Sequence, residues 1–265
     1  MSVVLQPFAM LFRRRLLLVQ TVRQEIRKRY LGSVLGLAWL VVHPLLFLGV
    51  YAAVYLLIFK VRFQLFDSSE YVLLIFCGLV PFLGIAEALG AGVPSVVADS
   101  SLVKNTLFPV ELVPIKVLLA SQGLQVVGTL ILIVAIGLVR GLSPTMLFVP
   151  VIWFAQLLFM AGMLWFLAGL NVFFRDLQMI VGTLILLLML ISPIAYTLDM
   201  VPANLRVIVA FNPLSHFIFC YQSLLMLGTW PDPRNLAFVL VSGPVLFIAG
   251  HWFFMRLKRV LVDNV

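Results

Sequence analysis

The sequence is poor in charged residues and in the side chains that most metal and catalytic sites use. Asp, Glu, Lys and Arg make up 11% of its 265 residues, and there are only two cysteines and three histidines. Cys77 and Cys220 lie far apart in or beside apolar segments, which favours small packing residues over a disulfide or a metal pair. His43, His216 and His251 are scattered along the chain, so the sequence predicts no metal site.

Motifs of several enzyme classes are missing as well. The chain contains no GxxxxGK followed by Ser or Thr, no HExxH, no CxxC and no GxSxG. Without the glycine-rich loop, the backbone has no predicted cradle for nucleotide phosphates. We therefore expect no catalytic residues and no cofactor bound by this chain, and we expect any ATP and Mg²⁺ to be held by another subunit.

Apolar residues are abundant instead, since 63% of the residues are hydrophobic and the mean hydropathy is +1.17. A bilayer core of roughly 30 Å requires about 20 residues of helix. Six apolar segments reach that length, at 34–59, 71–91, 112–139, 146–170, 178–197 and 236–255. The sequence thus predicts an all-α membrane protein with six transmembrane helices.

The net charge of +8 comes from basic residues at the ends of these segments, with no long exposed basic patch. Lys and Arg are retained on the cytoplasmic side of membrane spans. Most of them fall on one side of the membrane if the amino terminus is cytoplasmic, and this distribution explains the charge better than nucleic-acid binding does. We expect a multi-pass protein whose amino and carboxy termini are both cytoplasmic.

The chain is predicted to form one membrane domain, in which a cytoplasmic amphipathic helix at 1–31 precedes a six-span part at 32–265. Within 8–30 the apolar residues recur at the spacing of one helical face, at Phe8, Phe12, Leu16, Val19, Val22, Ile26 and Tyr30. A basic amphipathic helix of this kind lies in the headgroup plane. It is either a plain anchor or a guide for a charged lipid headgroup, and the pattern leaves both open.

The second predicted span carries an acidic residue, Glu87, close to a glycine- and proline-rich end where we expect the helix to bend or break. An acid inside a span is a candidate functional residue. The alternative is a plain ion pair with Lys104 or Arg29 near the membrane surface.

Three connecting segments carry further signals. In 94–114 an aspartate and two serines could cap a short helix of the kind that docks in a partner's groove, although a plain loop is the alternative. Arg175 and Asp176 could form a solvated turn, or the aspartate could cap the next helix. The apolar segment 198–235 is predicted to contain short helices, one of them starting at Pro213, that dip partway into the membrane.

Three groups of residues resemble the motifs of one transporter family. The first group is Arg29, Tyr30, Gly32, Ser33, Leu35, Gly36, Trp39 and Pro44; the second is Asn105, Phe108, Pro109, Glu111 and Pro114; the third is NVFFRDL at 171–177. In these positions the chain is similar to the membrane (permease) subunits of bacterial ABC-2 type polysaccharide exporters, of the O-antigen and teichoic-acid type.

The resemblance implies a transport subunit and not an enzyme. Two copies would form a homodimeric pore in the bacterial inner membrane, and two separate ABC nucleotide-binding subunits would hydrolyse ATP to move a polyprenyl-diphosphate-linked polysaccharide outward. The first, second and fifth spans would line the channel, and external re-entrant helices between spans five and six would cover it. The alternatives are an ABC-2 exporter of a lipid or drug-like substrate and a membrane enzyme acting on lipid-linked sugars. The enzyme would need convergent acids or histidines, which only Glu87 and Asp99 approach.

The expected sites follow from these motifs. Entry of the substrate headgroup is assigned to Arg27, Lys28, Arg29 and Tyr30, since an arginine fork can bind two oxygens of a diphosphate at once. Channel lining is assigned to the aromatic residues Trp39, Tyr51 and Tyr55, although the three do not fall on one strict helical face. Coupling to the ATPase is assigned to Leu102, Val103, Lys104, Asn105, Phe108 and Pro109. Arg175 and Asp176 form the inside turn.

Overall fold

The protein is described here from a computed structural model. The structure describes residues 6–30, 32–58, 67–105, 108–196, 201–202 and 204–264, with the side chains of 102, 103, 105, 259 and 262–264 excepted. In this part of the chain all regular structure is helical. The α-helices are α1 (Gln6–Arg13), α2 (Arg15–Tyr30), α3 (Trp39–Ala52), α4 (Ser68–Gly92), α5 (Ser95–Ala98), α6 (Ser100–Asn105), α7 (Leu112–Val139), α8 (Val149–Phe173), α9 (Leu177–Ile191), α10 (Arg206–Phe211), α11 (Pro213–Tyr221) and α12 (Pro233–Asn264).

Among the described residues, five helical segments are long and apolar enough to cross a membrane. They are Gly36–Ile58, Ser68–Gly92, Leu112–Val139, Pro144–Phe173 and Pro233–Lys258. Each matches one predicted span. The segment predicted at 178–197 is helical only over the 15 residues of α9, which extend about 22 Å at 1.5 Å per residue. This length is less than the thickness of a bilayer core. The helix stops at Ser192 because the backbone of the residue before Pro193 is extended.

The amphipathic segment predicted as one helix over 8–30 consists of two helices that meet at Arg14. Phe12, Leu16 and Val19, which belong to the predicted apolar stripe, remain exposed on the outside of the molecule. Leu18 lies on another side of α2 and is buried. Since α2 packs along α7, these three side chains are left on the outer side of the helices, whereas Val22 of the same stripe packs against the core.

Helix α4 forms the centre of the bundle and contacts α3, α7, α8, α9 and α11. It begins with a capping box, in which Asp67 accepts from the third backbone amide and Glu70 accepts from the amide of Asp67. The helix runs unbroken through Pro81 and ends at Gly92, and α5 begins at Ser95. The break predicted near the glycine- and proline-rich end of this span therefore occurs, at 93–94. Inside the helix, Gly84 allows close packing, because a Cβ added there would lie 2.8 Å from the Cβ of Gln125.

Helices α8 and α12 pack more extensively than any other pair in the described chain. Glycines permit this approach, because a Cβ added at Gly243 would lie 2.6 Å from the carbonyl oxygen of Ala155, and one added at Gly250 would overlap the carbonyl of Gly162. Small residues at helix interfaces let two backbones come close in a membrane, where water does not drive the helices together.

The region after α9 contains the predicted short helices. Asn212 caps α11 by accepting from the amide of Leu214 at 3.0 Å, and Pro213 occupies the first helical position, as predicted. A π-helical stretch, Gln222–Leu227, continues α11, and together they pack against α4, α7 and α8. At the join, the buried Tyr221 hydroxyl contacts Gln125 at 3.0 Å and Gln156 at 2.9 Å. These bonds hold α11 against the middle of the bundle.

Candidate functional site

A chamber of about 460 Å³ lies between α3, α4 and α9, with the end of α2 at one side. These are the first, second and fifth of the predicted spans, which the family resemblance assigned to the channel. The wall is apolar and aromatic with a few polar groups, formed by Tyr30, Trp39, His43, Phe47, Phe82, Leu83, Ala86, Glu87, Leu124, Ile185, Leu186 and Met189. Of the three aromatic residues predicted to line a channel, only Trp39 lines this chamber.

Aromatic side chains recur every four residues along the first span, at 39, 43, 47, 51 and 55. In a regular α-helix a step of four residues overshoots one turn by about 40°, so the sequence did not predict one common face. The structure replaces the last turns of this span by a π-helical stretch, Ala53–Ile58, whose turns hold more residues. This change in pitch falls between Tyr51 and Tyr55, where it limits the drift of the second ring away from the first.

Tyr51 and Tyr55 therefore stack on each other, with ring centroids 6.2 Å apart. Tyr55 also meets the edge of Tyr71 on α4 at 6.5 Å, and the Tyr71 hydroxyl donates to the carbonyl oxygen of Ala195, just beyond α9, at 2.6 Å. The predicted Tyr51 and Tyr55 thus lie between the same three elements as the chamber, but farther along them. Tyr71 is an aromatic member of this group that the sequence did not single out.

A charged pair lies at the end of the chamber where α2 meets α4, because Glu87 in the chamber wall binds Arg29. Arg29 donates from Nη1 to Glu87 Oε1 at 2.7 Å and to Ser121 Oγ at 3.0 Å, and its Nη2 lies 3.5 Å from the carbonyl oxygen of Val117. The predicted pairing of Glu87 with Arg29 is confirmed. The neighbouring phenol of Tyr30 is half-buried, which raises its pKa, and the Glu87 carboxylate raises that pKa further.

Further ion pairs extend from Arg29 away from the chamber. Glu25 Oε1 lies 3.7 Å from Arg29 Nε, and its other oxygen lies 3.5 Å from Lys116 Nζ. Lys116 in turn contacts Asp99 Oδ2 at 2.6 Å. Neither Glu25 nor Lys116 was predicted as a site residue, although the position of Lys116 in the first turns of an apolar span was a signal, because charges within spans need partners.

A second cavity, about 670 Å³ in volume, lies along α2 on the other side of Tyr30. It is a groove with an apolar base and three arginines, lined by Arg15, Leu18, Val19, Val22, Arg23, Ile26, Arg27, Tyr30, Gly36, Leu37 and Leu119. We call it the arginine groove. Arg27 is thus the only predicted headgroup residue, besides Tyr30, that lines it, whereas Lys28 lies 3.7 Å from Asp99 and Arg29 binds Glu87. Among the described residues, Arg23 and Arg27 have no ion-pair or hydrogen-bond partner.

The residues predicted to couple to an ATPase divide into two groups. Lys104 is exposed on the short helix α6, which also carries Leu102, Val103 and Asn105, whose side chains lie outside the described residues. Phe108 packs against the core, and Pro109 is buried. Glu111, two residues on, is 3% exposed and pairs with Lys258 of α12 at 2.9 Å. Lys104 thus faces outward, whereas Phe108 and Pro109 anchor the segment to the bundle.

The predicted inside turn joins α8 to α9. Arg175 and Asp176 are both exposed there, beside a shallow cavity formed by 170–180. Asp176 precedes α9, but its side chain forms no capping hydrogen bond, so the capping alternative is wrong. The turn is solvated, which was the other alternative.

Comparisons with known proteins bear on what this arrangement does. The profile of the family described as "ABC-2 type transporter" matches residues 17–226. A Klebsiella pneumoniae protein named O-antigen export system permease protein RfbA is 30% identical over 245 residues, which cover 91% of this chain and 92% of that protein. A Myxococcus xanthus protein of the same name is 29% identical over 259 residues, covering 96% and 97% of the two chains.

Proposed function

Because the chain belongs to the ABC-2 type transporter family, we propose that it is the membrane subunit of an ATP-driven exporter for polyprenyl-diphosphate-linked polysaccharide of the O-antigen type. The observation that carries this proposal is the similarity, over nearly the full length, to relatives named as O-antigen export permeases. The chain is a multi-pass membrane protein and a transport subunit. Its place is the bacterial inner membrane, with both termini in the cytoplasm.

A sixth crossing is part of this proposal. Helix α9 is too short to span a bilayer by itself, and the residues that follow it would complete the crossing. The segment from α10 to the end of the π-helical stretch then enters the membrane from outside and returns to the same side, and its buried helix α11 is held by Tyr221 in the middle of the bundle. Hydrogen bonds within the protein satisfy the polar groups of this helix, for which lipid offers no partners.

The pore is a homodimer. Only 6% of the apolar window of the first span is buried within one chain, against 83% of the window in α4. Gly49 on the first span and Gly182 on α9 both have open space, since no described atom lies within 4 Å of the place where a side chain would begin. These two helices border the chamber, so a second copy packed against them would close the chamber into a twofold pore.

The headgroup enters through the arginine groove. A diphosphate is a concentrated anion, and the arginines at 15, 23 and 27 place planar guanidinium forks beside an apolar surface that suits a lipid tail. Tyr30 lines both this groove and the chamber, and it therefore stands between the two. Lys28 and Arg29 hold α2 in place through Asp99 and Glu87, beside the entry.

The glycan then passes the aromatic side chains of the chamber, whose faces bind sugar rings, and continues along Tyr51, Tyr55 and Tyr71. The chain binds no nucleotide itself. Two ABC nucleotide-binding subunits, which hold ATP and Mg²⁺, dock on the exposed side of α6 and drive the cycle. The exposed Lys104 marks the docking surface.

Deletion of the gene in its own host tests the proposed function. The expected result is that surface glycan disappears while lipid-linked glycan accumulates inside the cell, and that the wild-type chain restores export only when the ATPase subunit is present. Unchanged surface glycan in the deletion strain, with loss of export of a lipid or a drug-like compound instead, would point to another ABC-2 exporter.

A further inference from the structure

A chain of ion pairs links the helix proposed to dock the ATPase with the charged end of the chamber. It begins at Asp99, immediately before α6, whose carboxylate lies 2.6 Å from Lys116 Nζ on α7. Lys116 lies 3.5 Å from Glu25 on α2, and Glu25 lies 3.7 Å from Arg29 one turn later. The last contact joins Arg29 to Glu87 on α4 at 2.7 Å. We call these five residues the ion-pair relay.

The relay is largely shielded from solvent. The side chain of Lys116 is 8% exposed and that of Glu25 is 13% exposed. An ion that loses its partner in such surroundings is strongly destabilised, because no water replaces the lost contact. Each member therefore has to keep its neighbour or find another one when the surrounding helices move.

The members lie on four different parts of the chain. Asp99 is the residue that joins α5 to α6, and its backbone amide donates to the carbonyl oxygen of Ser95 in α5. Lys116 belongs to α7, Glu25 and Arg29 belong to α2, and Glu87 belongs to α4. A displacement of α6 stretches the short contact between Asp99 and Lys116. It also pulls on α2 directly, because Lys28 lies 3.7 Å from Asp99.

We propose that the ion-pair relay transmits movement of α6 to α2 and so opens the charged end of the chamber when the ATPase closes. Glu25 and Lys116 are positioning residues in this mechanism, since neither lines the chamber. The proposal rests on the proposed function, because it takes α6 to be the docking helix.

The opposite end of the bundle offers a matched control. There Arg140 at the end of α7 pairs with Glu70 at the start of α4 at 3.4 Å. This pair joins α4 and α7, two of the helices that the relay also links, but it lies far from α6. A variant at Glu70 therefore removes an ion pair between α4 and α7 without touching the proposed route.

The experiment compares Lys116→Met, Glu25→Gln and Glu70→Gln in the complex with its ATPase. Complex assembly, ATP hydrolysis and exported glycan are measured for each. Lys116→Met and Glu25→Gln are expected to assemble and hydrolyse ATP, and to export about tenfold less glycan per ATP. The double variant is expected to be no worse than either single one, because both break the same link. Glu70→Gln is expected to keep the wild-type ratio.

Unchanged glycan per ATP in both relay variants would overturn the proposal, and so would a loss of export that only follows a loss of assembled complex. A second measurement does not depend on glycan. Spin labels at Gln24→Cys and Lys104→Cys, which replace exposed residues of α2 and α6, report the distance between these helices. ATP is expected to leave this distance nearly unchanged in the wild type, because α2 moves together with α6, and to change it in Lys116→Met, where α6 moves alone. An identical response in both proteins refutes the relay, whereas absence of glycan export by the wild type refutes the proposed function.

Discussion

Replacement of Arg29 tests whether this residue stabilises the chamber or binds the substrate. Its guanidinium contacts Glu87, Ser121 and the carbonyl oxygen of Val117. In Arg29→Ala the Glu87 carboxylate loses its partner, and its other oxygen already has no hydrogen-bond partner among the described residues. We expect the variant to be less stable and to export less glycan.

The magnitude follows from the burial of the pair. Removal of one member of a buried ion pair costs about 3–5 kcal/mol, and the pair here is 17% and 27% exposed, which favours the lower end, about 3 kcal/mol. Arg29→Lys keeps the charge but loses the fork that reaches several acceptors at once, so it is expected to cost about 1 kcal/mol. Glu87→Gln should restore about 1–2 kcal/mol of the loss in Arg29→Ala, because it removes the unpaired charge.

The assay is the midpoint temperature of unfolding in detergent for the two single variants and the double variant, with surface glycan measured per inserted protein. A stabilising pair predicts that Glu87→Gln rescues Arg29→Ala in both measurements. If the losses simply add, Arg29 acts on something other than Glu87, and the assignment of Arg29 to the headgroup regains support. Arg29→Lys alone does not discriminate, because both roles use the fork.

Three further predictions concern other parts of the molecule. Arg27→Gln is expected to lower export several-fold without loss of assembly, since it removes a guanidinium from the arginine groove. Arg13→Gln, which lies outside that groove, is expected to leave export unchanged. Equal effects of the two variants on surface glycan would contradict the headgroup role. Gly250→Leu is expected to lower the free energy of unfolding by about 3 kcal/mol or more, because the new side chain overlaps the backbone of α8. Gly90→Ala, where the added methyl group has open space, is expected to leave the unfolding midpoint unchanged. Gln156→Leu leaves buried amide and hydroxyl groups unpaired and should cost about 1–3 kcal/mol in the same unfolding assay; an unchanged midpoint would contradict it.

The sequence alone was sufficient for the class of protein and for its family. Long apolar segments require helices in a membrane, because a spanning backbone has to satisfy its own hydrogen bonds, and five predicted spans match helices of adequate length. The resemblance of the entry, coupling and turn motifs to polysaccharide exporters is confirmed by the family match and by the O-antigen permease relatives. The pairing of Glu87 with Arg29 was also predictable, because an acid near a basic membrane boundary has few possible partners.

The packing was decided by tertiary structure. Periodicity cannot tell which side of α2 meets α7, so the sequence grouped Arg27, Lys28 and Arg29 as one headgroup site, although they face the arginine groove, Asp99 and Glu87 respectively. The glycine- and proline-rich end of the second span breaks at 93–94, as predicted, but the role of Gly84 in close packing against Gln125 could not be predicted.

The ion-pair relay could not be predicted from the sequence for a related reason. Glu25 and Arg29 are one helical turn apart, but residues 87, 99 and 116 are far from them along the chain. Their charges become neighbours only when α2, α4, α7 and the join between α5 and α6 meet at one end of the bundle. Hydropathy determines which segments are helices in the membrane, because the free energy of moving an apolar side chain from water into lipid depends only on the local sequence. Which charges pair depends on distances across the bundle, and those distances exist only in the folded chain.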